Sequence, residues 1–333
     1  MVTEAGQSPS VVREQLKRNA PLMTELAGRF RAHPPRVIAT IARGSSDNAA
    51  TYAQYLLETR LGVLTVSSAP SVSSVYGASP DMKDTLVLAL SQSGRSPDLL
   101  AASRSAQEAG ATVVAIVNDK FSPLSELALA VIPVGAGTEL SVAATKSFIA
   151  TLTAIAQFTA TWSDDSSLLA ALDQLPETLA AAWELDWSDA VEPLAAAEHL
   201  FVVGRGLNFG IAQEAALKFK ETCGLHAEAF STAEVQHGPM TLVGRDFPVL
   251  AFFPDDDART GVEESVSAFR KQGATVLAVG GRGEGALPIV DCHPLLLPIV
   301  QIQAFYRMVD EVAARRGRNP DAPPYLAKVT ETL

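Results

Sequence analysis

Between Gly204 and His237 the chain reads GRGLNFGIAQEAALKFKETCGLHAEAFSTAEVQH and continues into Gly238 and Pro239. Lys218 and Glu221 lie three residues apart, and Glu214 precedes Lys218 by four. A helix over this stretch therefore puts a cation and carboxylates on one face, where they can serve one pocket. The same spacing also produces ordinary solvated ion pairs. The sequel, HAEAFSTAEVQHGP, adds His226, Glu228, Glu234 and His237 without a regular apolar period, which reads as a functional loop rather than packing. Acid–base chemistry is expected here.

Groups of this kind need a scaffold, and the first half of the chain spells one out. RVIATIA (36–42), GVLTVSS (62–68), TLVLAL (85–90), TVVAIVN (112–118) and LAVIPV (129–134) are short apolar runs separated by stretches of helical spacing. Such alternation implies a parallel sheet covered on both faces, whose ligands bind beyond the carboxyl ends of the strands. Two of those ends are rich in hydroxyls. Gly44, Ser45 and Ser46 follow the first run, and Ser91, Gln92, Ser93, Gly94, Arg95, Ser96 and Pro97 follow TLVLAL. Ser96 as N-cap and Pro97 as the first helical residue make the second loop a helix start with N–H groups aimed at it. A phosphate dianion suits that place. One such loop alone would equally be a serine-capped turn, and five serines on two strand ends favour the anion.

The 333 residues suffice for two ordinary domains, and a composition 47% hydrophobic and 19% charged is that of a soluble globular protein. A net charge of −11, with no Lys/Arg-rich block, argues against nucleic-acid binding or a polybasic membrane role. The N-terminal MVTEAGQSPSVVREQL lacks an apolar core of signal-peptide length and no uninterrupted apolar run reaches transmembrane length, so a cytoplasmic location is expected. Cys223 and Cys292 are too few for a disulfide framework or a cysteine metal site. The histidines at 33, 199, 226, 237 and 293 are never spaced as HxH or HExxH, and no metal is expected.

An internal repeat appears at a spacing of about 162 residues. IARGSSDNAATYAQYLLE (41–58) aligns with VGRGLNFGIAQEAALKFK (203–220), and GATVVAIVN (110–118) with GATVLAVGG (273–281). Two copies of one fold are implied, joined through an Ala-rich helical stretch of about 151–197 that includes a long helix beginning at Val142. The repeat fails at SQSG (91–94), whose counterpart is PDDD (254–257), where three carboxylates would repel phosphate. The expectation is one phosphate site in the first copy and the acid–base residues in the second, facing each other across a domain junction.

LSQSGRSPD, TELSVAATKSF, VGRGLNFGIAQEAALKFKE, HAEAFSTAEVQHGP and the terminal YLAKVTETL resemble the double sugar-isomerase (SIS) domain family, and in particular the isomerase half of glutamine:fructose-6-phosphate amidotransferase, over nearly the whole chain. The resemblance implies an α/β fold of two tandem SIS domains, each a parallel sheet flanked by helices in a flavodoxin-like three-layer sandwich. The implied layout is an N-terminal helical segment (1–30), the first SIS domain (31–160), a helical connection (161–197), the second SIS domain (198–320) and a C-terminal tail contributing to the active site (321–333). It also implies that Ser45, Ser46, Ser91, Gln92, Ser93 and Ser96 line the sugar-phosphate loop, with Val142 and Ala144 at further substrate positions. Glu221 falls on the carboxylate that moves the proton between C1 and C2, and Lys218 on the lysine one turn before it. His237 falls on the ring-opening histidine that reaches over from the neighbouring subunit, and Lys328 on the lysine that contacts the open-chain carbonyl. A homodimer with shared sites and no cofactor follows from the same likeness.

The chain also departs from the synthase pattern. No glutaminase segment precedes the isomerase part in this sequence, so ammonia channelling is not expected of it. Arg43 and Arg95 stand where the synthase has no arginine, and Ala144 replaces a serine. ARGSSD and APSVSSVYG look more like stand-alone aminosugar-phosphate deaminases of the superfamily, the second type of glucosamine-6-phosphate deaminase. The expected reaction is glucosamine 6-phosphate plus water to fructose 6-phosphate and ammonia. Galactosamine 6-phosphate or a fructosamine 6-phosphate would use the same groups, and a non-catalytic sugar-phosphate sensor is the competing class.

Overall fold

The computed structural model describes residues 1–326 and residue 328. Of the expected tail, Ala327 and 329–333 therefore lie outside the described residues. Among the described residues, ten strands form two sheets in which every pairing is parallel. The chain divides into two units, residues 1–9, 140–145 and 175–326 in one, and 10–139, 146–174 and Lys328 in the other.

The first sheet contains β1 (Val37–Ile41), β2 (Thr65–Ser67), β3 (Thr85–Ser91), β4 (Thr112–Val117) and β5 (Ala130–Pro133), in the order β2-β1-β3-β4-β5. The inner strands β1, β3 and β4 are rich in Val, Ile, Leu and Ala because both faces are covered, whereas the edge strand β2 is Thr65-Val66-Ser67. Ala39, Ile41, Val87, Ala89, Val113, Ala115 and Val117 alternate along their strands onto one face, packed with Leu99, Ala102 and Ala106 of the helix Pro97–Glu108. The helices Ser45–Leu61 and Lys146–Trp162 pack against each other and onto the same sheet's strands. The long helix Ser8–Ala32 is tied to Lys146–Trp162 by reciprocal bonds, Gln15 Nε2 to the Ala150 carbonyl and Gln157 Nε2 to the Leu16 carbonyl, both 2.8 Å.

The second sheet contains β6 (His199–Gly204), β7 (His226–Ser231), β8 (Pro248–Phe252), β9 (Thr275–Val279) and β10 (Ala286–Leu287), in the order β10-β9-β8-β6-β7. Counted within each sheet, both orders read second-first-third-fourth-fifth, the doubly wound flavodoxin-like arrangement. One face buries Phe201, Val203, Val249, Ala251, Val276 and Ala278 against Val262, Val266 and Phe269 of the helix Arg259–Lys271. The helices Leu207–Cys223 and Leu297–Arg315 meet through Phe219 and Phe305, whose rings cross edge to face at 5.3 Å and 81°.

Two local expectations are corrected. His226–Ser231, read above as the start of a loop, is the edge strand β7, with His226 and Glu228 exposed and Ala227 buried. This edge strand is incompletely covered, with Ala227 its one buried residue, which leaves a weak apolar period. The helix expected to begin at Val142 begins at Lys146. Glu4 instead accepts the N–H groups of Leu140 (2.5 Å) and Ser141 (3.2 Å), which holds residues 140–145 as a loop despite their helical composition. Among the described residues no helix is long and apolar enough to cross a membrane.

Candidate active site

The order of the first sheet reverses between β1 and β3, and both hydroxyl-rich loops leave the carboxyl ends of those strands. After β1, Gly44 turns the chain at φ 55°, ψ −133°, and its carbonyl accepts the N–H groups of Asp47 (2.9 Å) and Asn48 (3.1 Å), starting the helix Ser45–Leu61. After β3, Ser91 Oγ accepts the Gly94 N–H at 3.0 Å and Ser93 Oγ accepts the Arg95 N–H at 3.3 Å. A hydroxyl that accepts from the backbone still has its own proton to donate, which suits an anionic ligand. Gly94 sits at φ 65°, and a Cβ there would come within 2.2 Å of Ser122 Oγ, so this turn requires glycine. Ser96 is the N-cap residue of Pro97–Glu108, with extended ψ of 124° and no side-chain capping bond. Ser45, Ser46, Ser91, Gln92, Ser93 and Ser96 are all half-buried.

One arginine ties the two serine loops together, and another ties the second of them to the segment after β4. Arg43 Nε bonds the buried Asp98 Oδ2 at 2.9 Å, and Arg95 Nη2 bonds Asp119 Oδ2 at 2.8 Å. The Arg95 bond and the Phe121 N–H hold the Asp119 carboxyl below the ordinary carboxylate range.

In the second sheet, Gly206 after β6 has φ 60°, ψ −131°, nearly the conformation of Gly44, so the repeat extends to backbone geometry. The helix Leu207–Cys223 that follows buries Lys218 completely. Its Nζ lies 3.1 Å from Glu214 Oε1 and 2.5 Å from Glu221 Oε2. Glu214 is fully buried and accepts a bond from the Tyr306 hydroxyl at 3.4 Å, whereas the Glu221 side chain keeps 19% exposure. Burial works to depress the Lys218 ammonium, but the Glu214 and Glu221 carboxylates outweigh it and raise the group above the ordinary lysine value. Lys218 is thus a fixed cation that anchors the one partly exposed carboxylate of the cluster. Glu214 was visible as a partner on the helix face but not singled out as a site residue. Its i, i+4 spacing to Lys218 was the available signal.

The remaining candidates are placed separately. His237 ends the 3₁₀ turn Glu234–His237 and is exposed; among the described residues no hydrogen bond or ion pair joins it to Glu221. Lys328 Nζ lies 3.3 Å from Glu139 Oε2, which also accepts the Ser147 hydroxyl at 2.6 Å, while Glu139 Oε1 accepts the Ser147 N–H at 3.2 Å. This buried Glu139, inside TELSVAATKSF, is a second carboxylate that the sequence reading missed. Val142 and Ala144 are half-buried in the loop held by Glu4. After β8, where carboxylates replace the serines, Asp256 accepts the Ala258 N–H at 2.8 Å. Among the described residues no group of three or more His, Cys, Asp or Glu is arranged to hold a metal.

Two doubly wound sheets, one with a serine-lined switch point and the other followed by a carboxylate–lysine helix, define a tandem α/β protein. The sequence profile of the SIS domain matches residues 33–161 and 193–293, and the chain belongs to the SIS-domain family. Glutamine–fructose-6-phosphate aminotransferase (isomerizing) of Methanothermobacter thermautotrophicus is 32% identical over 98% of this chain and 56% of its own length. The chain thus spans about half the length of the curated relatives it matches, and it is homologous to their isomerase half. A candidate phosphosugar isomerase from Silicibacter pomeroyi DSS-3 is 43% identical, with a TM-score of 0.91 over 96% of this chain and 99% of that one. Glucosamine-6-phosphate deaminase from Thermotoga maritima shares the fold at 21% identity and a TM-score of 0.75, over 97% of this chain and 100% of that one.

Proposed function

We propose that this chain converts glucosamine 6-phosphate and water into fructose 6-phosphate and ammonia. The observation that carries the reading is the partly exposed Glu221 carboxylate fixed at 2.5 Å on the buried Lys218. In the open-chain aldehyde, Glu221 takes the proton from C2. The electron pair moves to form C1=C2 while the aldehyde oxygen gains a proton, giving an enolamine. Glu221 then returns a proton to C1, leaving a C2 ketimine that water hydrolyses to the ketone and ammonia. Ser91, Ser93 and Ser96 donate to the phosphate, His237 opens the pyranose and Lys328 contacts the carbonyl end. The working form is a cytoplasmic homodimer in which His237 serves the partner's site, with SIS domains over 31–160 and 198–320.

Support for amine release comes from the ARGSSD and APSVSSVYG wording and from the Lys218–Glu221 geometry together. Similarity to the Silicibacter pomeroyi protein favours a second reading, aldose–ketose isomerisation of a phosphosugar with no amine released. A panel of glucosamine, galactosamine and fructosamine 6-phosphates and fructose 6-phosphate, assayed for ammonia and for ketose with purified protein, separates the two. Ammonia from glucosamine 6-phosphate supports the proposal, and ketose–aldose exchange without ammonia supports the second reading. Tight binding without turnover of any sugar would contradict both and indicate a sensor.

A further inference from the structure

Arg43 is absent from the roles above, yet it directly precedes Gly44, Ser45 and Ser46 on the β1 side. Asp98 stands two residues beyond Ser96, in the first turn of the helix Pro97–Glu108. Its side chain is 2% exposed, its Oδ1 accepts the Leu99 N–H at 2.8 Å, and its Oδ2 accepts Arg43 Nε at 2.9 Å. A second acid, Asp47, occupies the first turn of the helix Ser45–Leu61. Partial burial pushes its carboxyl up, and the Arg43 guanidinium, four residues earlier in the chain, pulls it part of the way back. Both helix starts that leave this switch point therefore carry a carboxylate, at the end of the sheet where the backbone dipoles otherwise favour an anion. A buried carboxylate with no counter-charge would oppose a phosphate dianion there.

We propose that Arg43 is a positioning residue for phosphate binding, acting by cancelling the buried Asp98 carboxylate so that the serine loops remain net attractive to a sugar phosphate. The Arg43 side chain is half exposed (52%), and its bond to Asp98 is made through Nε. The inference rests on the serine loops being the phosphate site, as proposed above. It goes beyond that reading in assigning the pair to charge compensation rather than to a tie between two loops.

Those two roles differ in sign for one variant. If Asp98 only ties the loops, Asp98→Asn loosens them and weakens binding. If Arg43 cancels its charge, Asp98→Asn leaves an uncompensated cation and tightens binding. The experiment is calorimetric titration of the full chain with fructose 6-phosphate, alongside inorganic phosphate, with a thermal melt of each variant. Arg43→Gln is expected to raise the dissociation constant about tenfold, Asp98→Asn to lower it several-fold, and the double variant to recover most of the Arg43→Gln loss. Weaker binding by Asp98→Asn, or a double variant as weak as Arg43→Gln, overturns the proposal. Should Arg43→Gln fail to fold, the sign for Asp98→Asn still decides. Ser93→Ala is the control on the underlying reading. If wild type binds and Ser93→Ala weakens it while Arg43→Gln does not, only this inference fails; if wild type binds no sugar phosphate, the functional reading itself fails.

Discussion

Replacing Lys218 with Met removes the only cation bonded to two carboxylates on the helix Leu207–Cys223 among the described residues. The methionine fills much of the volume, so the loss is chiefly electrostatic. Glu214 has no side-chain exposure and accepts the 3.4 Å bond from Tyr306, whereas Glu221, with 19% exposure, can turn toward water. Breaking a buried ion pair by deleting one partner costs about 3–5 kcal/mol, because the other charge stays buried. Adding Glu214→Gln to Lys218→Met removes that stranded charge and should recover more than half of the loss. Urea unfolding at pH 7 followed by circular dichroism measures both. A Lys218→Met loss below about 1 kcal/mol, the range of an exposed pair, would refute the reasoning. The pH dependence has a definite sign. The folded Lys218 value is raised above the ordinary 10.5, so the wild-type contribution is fully present below that value and is lost as pH climbs through the folded one. The difference in stability between wild type and Lys218→Met should therefore shrink in strong alkali.

Three further outcomes are expected. Ser93→Ala should weaken sugar-phosphate binding by about 1–3 kcal/mol in calorimetry, and unphosphorylated glucosamine should be a poor substrate; equal turnover of both sugars would remove the phosphate assignment. Gly94→Ala should destabilise the β1–β5 unit and weaken phosphate binding together, because its φ of 65° and the 2.2 Å approach to Ser122 Oγ leave no room for a methyl; an unchanged melting temperature would contradict this. Mixed dimers of Glu221→Gln with His237→Ala should regain part of the activity, measured as ammonia release after co-expression with distinct tags. No recovery in verified mixed dimers would mean that each site is built from one chain.

The strands were legible because VIATI, TLVLAL and TVVAIV are continuous apolar runs, the mark of strands covered on both faces. The repeat was legible because both copies use a glycine in the same turn, Gly44 and Gly206. What stayed hidden depends on contacts distant in sequence. Residues 142–145 look helical in isolation, and the Glu4 carboxylate, more than a hundred positions away, holds the Leu140 and Ser141 N–H groups in the loop that precedes the helix at Lys146. Strand β7 lacked a clean period because an edge strand exposes part of its surface. Glu214 was legible only as a partner on the helix face and Glu139 not at all, because sequence does not reveal which carboxylate is entirely buried. The pairing of Arg43 with Asp98 across 55 positions was likewise unreadable, although Arg43 was already conspicuous as a departure from the synthase.

The central claim is that Glu221 carries the proton between C2 and C1, and the kcat of Glu221→Gln with glucosamine 6-phosphate tests it most directly. Glutamine keeps the shape and can still meet Lys218, but it has no proton to accept or return. With binding confirmed by calorimetry, kcat should fall about a hundredfold or more, the usual worth of general acid–base catalysis. A Glu221→Gln enzyme that binds substrate and retains near-full kcat would contradict the account and reduce Glu221 to the outer partner of an ion pair.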